Sequence, residues 1–95
     1  MYFYAYLLLC NDGSYYAGHT DDLDMRMAQH TSGELGGYTA KRSPVQLVWS
    51  DRFLTRDEAF AVERQIKGWS RAKKQALIAG DWDRISRLAR NRQET

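Results

Sequence analysis

This 95-residue chain has one cysteine, one proline, no serine- and glycine-rich stretch and no long apolar run. Each shortage excludes something. A lone Cys10 rules out an intramolecular disulfide and a cysteine-rich zinc site, and it fits a reducing cytoplasm. With no linker or low-complexity tract to divide it, the chain reads as a single domain over residues 1–95. Met1 to Cys10 is apolar, but it has no basic leader and no small-residue cleavage site. It is also far shorter than the ~20 residues of a spanning helix, so it reads as a strand and not as a targeting or membrane segment. A core this small gives modest stability, and every helix must dock.

Net charge is only +2, yet its distribution is uneven. Residues 1–63 carry five Lys/Arg against nine Asp/Glu, whereas residues 64–95 carry nine against three. A basic helical segment from about residue 70 is thus appended to a mildly acidic body. The run Arg64, Lys67, Arg71, Lys73, Lys74 has no acid between Glu63 and Asp81. Solvated helices usually intersperse acids at i±4, so this run reads as a phosphate track for nucleic acid. Arg84, Arg87 and Arg90 extend a second stripe.

Aromatic and aliphatic runs on either side of Asn11-Asp12-Gly13 predict a hairpin, with strands over residues 2–10 and 15–18. A first helix is predicted from Leu23 to Thr31, with Asp21 or Asp22 as N-cap and Gly33 beyond its end. Gly36-Gly37 opens a loop, and Pro44 leads a third strand from Val45 to Trp49. Thr55 and Glu58 make a capping-box pattern for a second helix ending near Gly68. Ser70 caps a third helix to Gly80, and Asp81 caps the last. The expectation is an α+β domain: a small three-stranded antiparallel sheet, the hairpin plus one strand, flanked by about four helices.

A type I turn with Gly13 in the left-handed bulge position would pair Cys10 with Ser14. Tyr6 then faces Gly18, and Tyr16 faces Leu8. Tyr2, Tyr4, Tyr6 and Tyr16 would project from one side. A two-residue turn at Asp12-Gly13 would instead separate Tyr6 from Tyr16. On the first helix, Arg26 and His30 share a face with Leu23 and Met27. On the second, Glu63 interrupts an apolar arc between Ala59, Ile66 and Phe60. A carboxylate there needs a cationic partner, which a divalent metal or Arg26 could supply.

The paired segments Tyr4-Ala5-Tyr6 and Tyr16-Ala17-Gly18, the tail Gly18-His19-Thr20, Arg26 and His30 four apart, Tyr38-Thr39, and Glu63 to Lys67 together resemble the GIY-YIG endonuclease family, in particular its small stand-alone branch. The resemblance implies a metal-dependent endonuclease that hydrolyses DNA, nicks one strand per site and takes Mg2+ or Mn2+. It makes Glu63 the metal ligand, Tyr6 the preferred base with Tyr16 as alternative, and Arg26 a phosphate or transition-state partner. It has His30 orient a phosphate or Tyr6, and it puts His19 where repair-type members carry a basic residue. His19, Lys67, Arg71, Lys73 and Lys74 are then the nucleic-acid-binding set. Gln75 stands where other branches place an asparagine. Specificity for a DNA, branched or single-stranded among the candidates, would come from a homodimer or a partner protein.

Each residue also has an ordinary structural reading. Tyr6 and Tyr16 suit strand packing, Gly18 a strand end, Arg26 and His30 an exposed helix face, and Cys10 a small packing residue. Glu63 has Lys67 at the favourable i,i+4 spacing of a surface pair. Trp49, Trp69 and Trp82 read as core or helix-junction anchors. Two other functions compete: a non-catalytic nucleic-acid-binding module of the same fold, and a protein-interaction adaptor using the tryptophan-bearing helices.

Overall fold

The structure is a computed structural model that describes residues 1–94, with side chains described through residue 88. Thr95 and the side chain of Arg90, the last of the terminal arginine stripe, lie outside the described residues. Strands β1 (Phe3–Leu9) and β2 (Tyr15–Thr20) form the hairpin, and β3 (Gln46–Phe53) pairs with the other edge of β1. The sheet is antiparallel in the order β2-β1-β3. Helices α1 (Leu23–Ser32) and α2 (Gly37–Ala40) lie in the connection between β2 and β3. Helices α3 (Arg56–Lys67), α4 (Arg71–Ala79) and α5 (Trp82–Glu94) follow. This is the expected α+β domain.

The bulged turn forms. Cys10 N donates to Ser14 O at 2.8 Å, Gly13 N donates to Cys10 O at 2.9 Å, and Gly13 takes φ 84°. Glycine is needed there because a side chain at that φ would be strained. Tyr6 therefore faces Gly18, and Leu8 faces Tyr16. Helix starts are fixed by side-chain oxygens of Asp22, Thr55, Ser70 and Asp81, which accept from backbone N–H groups of the first turns.

Three elements differ from expectation, the simplest being β2, which runs to Thr20, two residues past its expected end. The sheet carries five helices and not four, because the one-turn α2 forms where Gly36-Gly37 signals a loop. Four residues are too few for periodicity to show; Arg42 instead holds the turn, its N–H donating to Thr39 O and its Nη1 to Tyr38 O. The third strand begins at Gln46 and runs four residues past Trp49. Ser50, Asp51 and Arg52 look like loop residues, but they pair with Tyr6, Ala5 and Tyr4 of β1, whose buried backbone needs those partners. A bulge sits opposite Leu7 and Leu8, which pair with Trp49 and Leu47. Val48 and Trp49 both pack towards the core as a result.

Central strand β1 is buried on both faces, with Ala5, Tyr6, Leu7 and Leu8 all inaccessible. Leu7 and Ala17 project to one side, against Ile66 of α3, Ala76 and Leu77 of α4 and Ile85 of α5. Tyr6, Leu8, Tyr16 and Gly18 project to the other by strand alternation. Trp49 and Trp69 pack against the core as expected, but Trp82 is 62% exposed. It occupies the first turn of α5, where Ile85, three residues on, takes the inward position instead.

Candidate active site

Because Tyr6 lies opposite Gly18, its ring can reach across the backbone of β2. A Cβ at Gly18 would collide with Oη and Cζ of Tyr6, so only glycine leaves room for the hydroxyl there. The hydroxyl thus stands over the outer strand of the sheet.

Helix α1 brings His30 to this face. His30 is 2% exposed, and its Nε2 lies 2.8 Å from Tyr6 Oη. Nδ1 lies 2.8 Å from Oγ1 of Thr39, itself 2% exposed on α2. Tyr16 packs edge-on against the imidazole at 5.3 Å between centroids, and Tyr38 tilts over Tyr16 at 5.9 Å. The two motif tyrosines therefore share a face, as the register requires. Burial pushes the Tyr6 phenol up to about 12, and Tyr16 adds to this; Arg26 opposes it, while the Glu63 carboxylate raises it slightly further. Burial, then Arg26, lowers the His30 pKa and keeps the ring neutral.

Glu63 approaches from the opposite face of the sheet. It is 7% exposed on α3, one turn from the fully buried Ala59 and next to Ile66. Its Oε1 lies 3.0 Å from His19 Nδ1, and Lys67 Nζ donates to Oε2 at 3.3 Å. Compensation of the buried carboxylate thus comes from His19 and Lys67 in this structure. The i,i+4 pair with Lys67 forms, although the acid is buried and the lysine half-exposed. His19 alternates away from Gly18 and joins Ala17 on the face that α3 covers, with the Phe60 ring 5.0 Å away. Strand alternation could have placed it there.

Tyr6, Tyr16, Arg26 and His30 therefore gather on one face, and His19, Glu63 and Lys67 on the other, with β2 between them. β2 is an edge strand, and beside it Tyr6, His30 and Glu63 are buried, while His19, Arg26 and Tyr16 are part-exposed and Lys67 is exposed. A cavity of about 420 Å³ lies elsewhere, walled by Trp49, Phe53, Trp69 and Trp82. Of the other basic residues, Arg71 Nη1 donates to Gly13 O at 2.6 Å with its guanidinium over Tyr15, and Lys73 sits over Trp69. Lys74 is partly buried on α4, and Gln75 is exposed beside it. Only Lys67 of this run touches a site residue. Thr39 was legible as a motif residue but not as a partner of His30, since no local spacing links positions nine apart across a turn.

Among the described residues no cluster of three His, Cys, Asp or Glu could hold a metal by itself. The donor set still fits a hard divalent ion, which Mg2+-binding sites commonly take through one carboxylate, water and a substrate phosphate. Glu63 is the carboxylate that would hold such an ion, and here its Oε1 meets His19 and its Oε2 meets Lys67.

The family model for the GIY-YIG catalytic domain matches residues 2–76. A UPF0213 protein of Natronomonas pharaonis is 42% identical over 78 residues, covering 82% of this chain and 92% of that protein. One from Streptococcus pneumoniae is 40% identical over 81 residues, covering 85% and 82%. The solution structure of a UPF0213 protein from Bacillus halodurans superimposes with a TM-score of 0.54 at 42% identity, covering 83% and 84%. An E. faecalis protein does so with a TM-score of 0.59 at 38% identity, covering 84% and 85%. The chain belongs to the GIY-YIG family of nuclease domains, with the small UPF0213 proteins as its relatives.

Proposed function

We propose that this protein is a divalent-metal-dependent endonuclease that nicks DNA one strand at a time. The observation that carries the reading is the buried Tyr6–His30 pair at 2.8 Å, placed beside Arg26 and within the electrostatic reach of the buried Glu63. Hydrolysis of a phosphodiester needs a proton acceptor for water, positive charge at the phosphate and help for the leaving oxygen. Tyr6, with Tyr16 as alternative, takes the water proton; His30 Nε2 is the acceptor within reach of the phenol's own proton. Arg26 balances the charge that develops on the phosphate. Glu63 would hold Mg2+ or Mn2+, which supplies Lewis-acid polarisation of the phosphate when bound. A reducing, cytoplasmic setting suits the free, buried Cys10.

One site in one small domain cuts one strand. A double cut would take a second copy, and choice of a DNA structure, as in repair, a partner protein. The test is a panel of single-stranded, flapped, branched and duplex DNAs incubated with Mg2+ or Mn2+, wild type beside Glu63→Gln. Nicking by the wild type and its loss in the variant, with fold and most DNA binding retained, is expected. Undiminished cleavage by Glu63→Gln would sink the mechanism.

A second reading is favoured by the pairing of Glu63 with both His19 and Lys67: a module that binds nucleic acid without turnover. DNA binding with no nicking at any divalent-ion concentration would select it.

A further inference from the structure

A neutral imidazole has one N–H and one lone pair, and what each nitrogen faces decides which is where. In His30 both nitrogens face hydroxyls, at 2.8 Å each. The hydroxyls are not equivalent. A phenol is a far stronger acid than an alcohol, and the alcohol oxygen is the better acceptor, so the favoured order runs from Tyr6 O–H to Nε2 and from Nδ1–H to Thr39 Oγ1. Among the described residues Thr39 Oγ1 meets only His30 Nδ1, so it is the acidity of the phenol on the other side that sets this order. Its backbone is held in place, since Thr39 O accepts from Arg42 N at 3.1 Å and from Ser43 Oγ at 3.3 Å.

We propose that Thr39 is a positioning residue: its hydroxyl oxygen accepts the Nδ1 proton of His30 and fixes the tautomer whose Nε2 lone pair is aimed at the Tyr6 phenol. The tautomer rests on the two 2.8 Å contacts and the greater acidity of the phenol, while its effect on turnover rests on the nuclease reading above. Without Thr39 Oγ1, the proton moves to Nε2, where it points at Tyr6 Oη and blocks transfer from the phenol. Thr39 touches no reacting atom and acts through His30.

The experiment is a long-range proton–nitrogen correlation spectrum of 15N-labelled protein at neutral pH, without metal or DNA, together with nicking assays. Wild type should show His30 protonated at Nδ1 and bare at Nε2. Thr39→Val, nearly the same in shape, should show the proton at Nε2 and lose about 100-fold in nicking rate, whereas Thr39→Ser should restore both. A wild-type ring protonated at Nε2, a mixture of tautomers, or an unchanged tautomer in Thr39→Val would overturn the proposal. Should Thr39→Val fail to fold, the wild-type and Thr39→Ser spectra decide. A tautomer switch with no nicking by any of the proteins would uphold Thr39 and overturn the nuclease reading instead.

Discussion

Tyr6, His30 and Glu63 are each buried, and each stays so only because a polar partner meets it. Removing one hydroxyl tests that dependence directly. Tyr6→Phe keeps the ring over Gly18 but takes away the proton acceptor, so nicking should fall by roughly 100-fold or more while the circular dichroism spectrum is unchanged. The lost buried hydrogen bond should cost about 1 kcal/mol in denaturant unfolding. His30 makes a separate prediction. Its pKa is lowered in the folded state by burial and by Arg26, with Tyr6 and Tyr16 also against the ring. The unfolded chain therefore takes up the proton first, and stability should drop as pH falls below about 6.5 and level off beneath the folded value. Thermal unfolding from pH 7 to pH 5 measures this, and His30→Gln should flatten the dependence; an equally steep fall in the variant would refute it. At this scale the sequence revealed the residues better than their partnerships. Helical offsets bring Arg26 and His30 inward and bury Glu63, but His19 reaching Glu63 and Thr39 reaching His30 are long-range meetings that no local spacing encodes.

Among the elements, the turn and register of the hairpin were legible, because Asn11-Asp12-Gly13 permits few turns and the bulged one sets every pairing after it, although β2 runs on to Thr20, two residues past its expected end. The end of β3 was not, since Ser50-Asp51-Arg52 becomes strand only by answering the backbone of β1. Helix α2 escaped for a related reason: it is held by Arg42, which also lies 2.9 Å from Asp12 and 3.7 Å over the Tyr38 ring. Arg42 thereby ties the turn of the hairpin to the segment that carries Thr39. Arg42→Ala should raise hydrogen exchange in α2 and around Asn11, whose N–H donates to Arg42 O, while costing only about 1 kcal/mol overall because the contacts are exposed. Gly18→Ala should be harsher. The added methyl meets Tyr6 on a backbone that cannot retreat, so both the melting temperature and the nicking rate should fall. Wild-type nicking by that variant would show that the ring position is not needed.

Over the whole molecule the acidic first two-thirds and basic last third remain visible, but the structure divides the basic residues by task. Arg71 braces the hairpin turn and Lys73 covers Trp69, whereas Lys67 sits at the site. Lys67→Ala with Lys74→Ala should weaken DNA binding and lower its salt slope by up to about two, leaving sequence preference alone. Arg71→Ala is best read separately, since it should also loosen the turn. An unchanged slope in the double variant would direct the DNA to the side of Arg26, Lys41 and Arg42.

Strands β2 and β3 never touch, and β1 alone joins them. The segment between them, which carries Arg26, His30 and Thr39, is thus moored at both ends to strands that only β1 brings together. Tyr6 meets Gly18 early, in a local hairpin, whereas Glu63 reaches His19 only across a sequence separation of 44, which is the slow kind of contact. Cutting competence should accordingly be the last property regained on refolding, after the hairpin and after Trp49 and Trp69 have packed on the core, and a half-made chain carries no complete site.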